Sequence, residues 1–199
     1  QLLTNGVTTA EVKSGYGLNL ETELRILEAV QELNGQHPIE LIPTFLGAHT
    51  VPPDRQTDRR RYIDEIVGEM LPRVSEDGLA RFCDVFVEKG AFTIAEAEEV
   101  LEAGLSYGLR PKVHADQLSP GAGAELAART GAVSADHLEY ISDNGIRALA
   151  EADVVAVLLP GAALFLGTNE IAPARRLIEA GVDVALSTDC NPGTCMSEN

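Results

Sequence analysis

The sequence predicts an α/β fold: a (β/α)8 barrel of the TIM type with one strand missing. Three observations carry this reading. Seven strand-like runs alternate with helix-like runs along the 199 residues. The strand-like runs are near-continuous in Val, Ile, Leu and Ala, the pattern of a parallel sheet covered by helices. No GxGxxG or Walker A turn follows the first of them, as a doubly wound nucleotide-binding sheet would require.

The first strand is expected at 6–12 (GVTTAEV), running into VKSGYGL, where Gly15 and Gly17 flank Tyr16. A helix follows over 19–36, with Asn19 as its cap and the apolar residues of LRILEAVQEL at helical spacing. The second strand spans 39–49, and the charged stretch from 58 to 77 reads as a helix. The third strand (81–90) precedes a helix over 93–108 that opens on Thr93. The fourth strand (110–116) leads to SPGAGAEL, which lacks the P-loop lysine and is therefore read as the start of a helix over 120–131. The fifth strand (131–140), a helix over 142–152 capped by Ser142, the sixth strand (153–161), a helix over 172–181 and a last strand (181–189) complete the series. Gly104, Gly131 and Gly181 are expected to end helices.

Composition narrows the classes. The chain is 45% hydrophobic and 23% charged, an ordinary globular balance with ample core for its length. No run of eighteen apolar residues and no signal-peptide pattern occur. A formal charge of −16 argues against nucleic acid or an anionic membrane as partner. Cys83, Cys190 and Cys195 form no disulfide framework and point to a reducing, cytoplasmic setting. The chain does not open on Met and stops at CMSEN just past a motif. It is expected to be one catalytic barrel domain, 1–199, truncated at both ends.

Catalytic groups of such barrels sit at the C-terminal ends of strands. His37 precedes a strand and reads as a surface turn residue, whereas His49, His114 and His137 fall at or just past strand ends, and Asp189 ends the last strand. His114 and His137 lie 23 residues apart, about one βα unit, and His137 and Asp189 lie 52 apart, about two. One such histidine is commonly a satisfied core residue. Three with an aspartate at four strand ends converge on one mouth, and imidazole plus carboxylate suits Zn²⁺ or Fe²⁺. His114 and Asp189 are two such ligands.

His114, His137 and Asp189, taken as ending strands five, six and eight of a full barrel, resemble the amidohydrolase superfamily; the resemblance implies that strands two to eight are present and strand one is missing. EVKSGYGL (11–18), PTFLGAHTVP (43–52), KVHADQLS (112–119), ADHLEY (135–140) and STDCNPGT (187–194) are, within it, most similar to the imidazolonepropionase family. The resemblance implies His114 and Asp189 as ligands of one divalent ion, Zn or Fe, and His137 as the catalytic histidine beside the metal-activated water. It implies Tyr16, His49, Gln117, Asn191, Gly193 and Thr194 as substrate contacts. The His-x-His pair of strand one and a propionate-binding Arg would lie outside this chain. The implied reaction is hydrolysis of the cyclic amide of 4-imidazolone-5-propanoate to N-formimidoyl-L-glutamate, with Asp189 moving the proton; the implied assembly is a homodimer. Glu88 and Lys89 end the run at 81–90, the fourth strand of the full barrel, where some members carry a carboxylated lysine between two metals; a surface position for Lys89 is the favoured reading. The alternatives are another cyclic amidohydrolase or a deaminase of the superfamily, or a segment inactive without its missing parts.

Overall fold

The computed structural model describes residues 1–198. Seven strands, β1 (Thr9–Lys13), β2 (Glu40–Ala48), β3 (Phe82–Val87), β4 (Arg110–Ala115), β5 (Ser134–His137), β6 (Val155–Leu158) and β7 (Val184–Leu186), form one sheet in sequence order. Every neighbouring pair is parallel. This is the wall of a barrel over strands two to eight of the expected eight, and helical crossovers cover its outer face.

Each crossover starts where its sequence says. Helix α1 (Leu20–Asn34) opens on Asn19, whose side chain accepts from Thr22 N–H, and buries Leu27 and Val30. The stretch at 58–77 forms α2 (Arg59–Glu65), a π-helical turn (Ile66–Met70) and α3 (Leu71–Glu76). Pro72 has no N–H to return to the carbonyl four residues back, and the hydrogen bonding widens just there. Helix α4 (Ile94–Ser106) has a complete capping box between Thr93 and Glu96 and buries Ala97, Val100, Leu101 and Gly104. Gly104 therefore does not end this helix; Gly108, at φ +83°, does. The position a Cβ on Gly104 would take is 2.8 Å from the Cys83 Cβ, so the missing side chain lets α4 lie against β3.

Helices α5 (Gly123–Arg129), α6 (Asp143–Glu151) and α8 (Ala174–Glu179) match the expected runs, and Ser142 caps α6 through Gly145 N–H. One helix, α7 (Pro160–Leu166), was not expected; it opens on Pro160, which the sequence reading assigns to the sixth strand. Tyr62 is wholly buried and donates to the Gly47 carbonyl (2.8 Å), whereas Tyr107 is 40% exposed.

The outward sides of the strands (Cys83, Val85, Val113, Ala135) pack under the helices as the apolar core. Alternation sends Asp84, Phe86, Lys112, His114, Ser134 and Asp136 to the other, inner side. Register aligns Asp84 with Lys112, Phe86 with His114, and His114 with Asp136. In β2 the partner of Phe45 is Cys83 but that of Ala48 is Val85, so β2 carries one extra residue. This bulge resets which face the last residues address, immediately before His49.

Candidate active site

A cavity of about 840 Å³ runs along the inner side of the sheet, from Leu2 and Val7 ahead of β1 to the strand C-termini. Its lining includes all nine residues singled out from the sequence: Tyr16, His49, His114, Gln117, His137, Asp189, Asn191, Gly193 and Thr194. His37 lies exposed between α1 and β2, away from it.

The loop after β1 is built around Glu23, a wholly buried carboxylate in the first turn of α1. It accepts from the N–H groups of Gly15 (2.8 Å), Gly17 (2.7 Å) and Leu18 (2.9 Å). Gly15 has φ +103°, and a Cβ there would come within 2.8 Å of the Leu46 carbonyl oxygen. The Gly15 carbonyl in turn pairs with His49 Nδ1 at 2.8 Å. Tyr16 is left 57% exposed over the cavity, its ring edge-on to His49 at 5.3 Å. Phe86 links His49 to His114 (6.0 Å to each), and His114 lies 5.3 Å from His137, so five rings run along one wall.

Strict alternation would turn His137 toward the helices beside Ala135. Left-handed backbone at His137 (φ +83°) and Leu138 (φ +72°) breaks the alternation, and the ring enters the cavity. Such conformations cost energy and collect at functional sites. Burial, with the nearby His114 charge, pushes the His137 pKa down to about 3, so the ring is neutral at physiological pH. Its Nε2 is 4.0 Å from Asp189 Oδ2 and its Nδ1 is 4.0 Å from Glu139 Oε2. Among the described residues, neither that Nδ1 nor that Oε2 has a hydrogen-bond partner. Burial raises the Glu139 pKa to about 7, with Asp189 adding to the effect.

Asp189 is fixed by its own loop. Asn191 Nδ2 donates to the Asp189 carbonyl (2.7 Å) and to Thr194 Oγ1 (2.7 Å), and Thr194 Oγ1 donates to Asp189 Oδ2 (3.0 Å). Asn191 Oδ1 accepts from the N–H groups of Gly193 and Thr194, both at 2.8 Å. The loop carrying Gln117 is pinned from two sides. Asp116 accepts from Gly121, Gly123 and Ala124 N–H, and Glu88 from Leu118 and Ser119 N–H. Glu88 is thus occupied with a loop, and Lys89 is exposed.

Glu11, Lys13 and Asp136, which line the same cavity, belong to a charged cluster that the sequence reading missed. Asp84 and Asp136 are almost fully buried, and Lys13 Nζ reaches both, at 2.6 and 3.1 Å. Lys112 Nζ pairs with Glu11 at 2.6 Å. His114 Nδ1 sits 3.0 Å from Asp84 Oδ2 and 3.1 Å from its Oδ1. Burial disfavours charge on Lys13, yet Asp136, Asp84 and Glu11 together raise its pKa well above the usual value. Burial likewise opposes charge on Asp84, but His114 and Lys13 hold its pKa far below the carboxylate range. Asp84, His114 and Asp136 offer ligand-type atoms all within 4.8 Å of one another. Charged residues inside otherwise apolar parallel strands, as in CDVFV and SADH, are the sequence signal that could have exposed this cluster.

No family model matches the chain. It is 56% identical over 194 residues to an imidazolonepropionase from Geobacillus kaustophilus, covering 98% of this chain and 46% of that protein. It is 54% identical over 199 residues to one from Myxococcus xanthus, covering 100% and 47%. The chain thus spans about half the length of the curated relatives it matches. Among solved structures it resembles guanine deaminase from C. acetobutylicum (TM-score 0.71, 14% identity, 99% of this chain and 49% of that one). It also resembles a zinc complex of atrazine chlorohydrolase from Arthrobacter aurescens (TM-score 0.67, 16% identity, 94% and 46%). At those identities the likeness establishes the barrel fold and nothing finer. Over its whole length the chain is similar to about half of each of these imidazolonepropionases.

Proposed function

We propose that the protein carrying this chain is a metal-dependent imidazolonepropionase that opens the cyclic amide of 4-imidazolone-5-propanoate to give N-formimidoyl-L-glutamate. The observation that carries the reading is the convergence of five separated family-like segments, 11–18, 43–52, 112–119, 135–140 and 187–194, on one cavity. The donor set fits a divalent ion. His114 turns one ring nitrogen to Asp84 and so has the other free, and Asp189 brings a carboxylate to the same cavity. His114 and Asp189 would hold one Zn²⁺ or Fe²⁺, a number of protein ligands that leaves room for two more, and the ion would supply Lewis-acid activation of water.

The chain's own residues supply the rest. Asp189, aimed by Thr194 and Asn191, accepts the proton of the attacking water and delivers it to the departing ring nitrogen. His137, neutral because it is buried, donates an N–H toward the oxyanion that develops on the ring carbonyl. Gln117, an amide that cannot titrate, orients the ring, and Tyr16 and His49 hold the substrate. Asn191, Gly193 and Thr194 close that loop over it. A deaminase would need a titrating carboxylate beside the His114 strand, and Gln117 occupies that place.

Among the described residues no helix is long and apolar enough to cross a membrane. The same reading includes a cytoplasmic location, a small-molecule substrate with no nucleic-acid or membrane partner, and a homodimer, which light scattering on the intact protein checks. Asp189→Asn in the intact protein should abolish hydrolysis of 4-imidazolone-5-propanoate; a variant that keeps its activity refutes the proton role of Asp189.

A further inference from the structure

Three adjacent strands send Asp84, His114 and Asp136 to the same inner face, and these residues resemble a metal site by distance alone. The position that a cation would take between the two carboxylates is already filled. Lys13 Nζ lies 2.6 Å from Asp84 and 3.1 Å from Asp136, and Ser134 Oγ donates to the second oxygen of Asp136 at 2.7 Å. A divalent ion there would have to displace the Lys13 ammonium from both buried carboxylates, leaving it only Glu11. It would also need a lone pair on His114 Nδ1, which instead faces a carboxylate.

We propose that Asp84 is a positioning residue for His114, and that Lys13 is the fixed internal cation that keeps Asp84 in that role in place of a second metal. The inference rests on the reading that His114 ligates the catalytic ion. An ionised carboxylate only accepts hydrogen bonds, so a contact of 3.0–3.1 Å to His114 Nδ1 requires the proton to sit on that nitrogen. The lone pair is then on Nε2, the nitrogen turned away from Asp84. Asp84 is wholly buried and both its oxygens are engaged, so neither its rotation nor hydration competes with this orientation. Three carboxylates (Glu11, Asp84, Asp136) face two ammoniums (Lys13, Lys112), so these five groups carry a negative balance beside the His114 ring. A carboxylate behind a ligating histidine both fixes the tautomer and raises the basicity of the ring.

The test uses the intact protein and Zn²⁺ alone, with a competing chelator to read affinity and elemental analysis to read stoichiometry. Wild type should bind one zinc per chain, and ¹⁵N NMR of the His114 ring should show Nδ1 protonated and Nε2 bound to metal. Asp84→Asn, which keeps the shape but loses the charge, should weaken zinc binding by about 10–100-fold. Equal affinity in wild type and variant, Nδ1 as the metal-bound nitrogen, or two zinc ions per wild-type chain would each overturn the proposal. The NMR and stoichiometry arms need no variant and hold even if Asp84→Asn misfolds. Absence of any zinc binding by active wild type would remove the metal reading itself, a failure distinct from unaltered binding in the variant.

Discussion

Glu23 offers the sharpest test of how the Tyr16 loop is held. Its carboxylate accepts three backbone N–H bonds at 2.7–2.9 Å, alongside single bonds from His49 to the Gly15 carbonyl and from Asn19 Nδ2 to the Gly17 carbonyl, each 2.8 Å. Glu23→Ala removes all three acceptors. Hydrogen bonds to a charged group contribute roughly 1.5–3 kcal/mol each, which sets an upper bound of several kcal/mol. Only the bond to Gly15 is fully buried; those to Gly17 and Leu18 are partly buried, and water can replace them. The expected loss is therefore about 2–4 kcal/mol, the Gly15 bond plus a fraction of the other two. Urea denaturation of the intact protein measures it. Steady-state kinetics should show a raised KM with a smaller change in kcat, because Tyr16 and His49 would lose their fixed positions over the cavity. Glu23→Gln, with one acceptor left, should fall between wild type and Glu23→Ala. A stability change below about 0.5 kcal/mol, the range of an ordinary surface substitution, with KM unchanged would refute the anchoring role.

Two further substitutions probe packing and charge. Gly104→Ala places a Cβ about where the Cys83 Cβ already lies (2.8 Å), so α4 must move off β3. Urea melts should show a loss of about 1–3 kcal/mol, although alanine normally favours a helix; a gain in stability would contradict the packing. Glu139 binds its proton more tightly in the fold than a free glutamate does, with a pKa near 7 against an ordinary 4.5. The group imposes no penalty below about pH 4.5, and its cost grows to at most about 3 kcal/mol as pH rises through 7. Glu139→Gln should flatten that decline and be the more stable protein above pH 7; an unchanged pH slope would show that Glu139 is not the group responsible.

The parallel sheet was legible because its strands, buried on the helix side, read as unbroken apolar runs, and because Asn19, Thr93 and Ser142 mark helix starts. Helix α7 was hidden by the same property: PGAALFL continues the apolar run of β6 with no polar face to reveal a helical period. Gly104 looked like a helix stop because a glycine near the end of a helical stretch usually is one; its reason is contact with Cys83, which only the packing reveals. The rim of the site was legible from strand-end histidines and Asp189. The rest was not. Lys13, Asp84 and Asp136 meet only once three strand registers are set, and Glu23 looks like any exposed acid of a helical first turn until its carboxylate folds back on the loop. The orientation of His137 depends on two left-handed residues that strand alternation does not foretell.

The most direct test of the functional account is the product formed by the intact protein from 4-imidazolone-5-propanoate. The account predicts consumption of the substrate with stoichiometric appearance of N-formimidoyl-L-glutamate and no release of ammonia. Ammonia as a product, or a substrate left intact by metal-loaded protein, would contradict it.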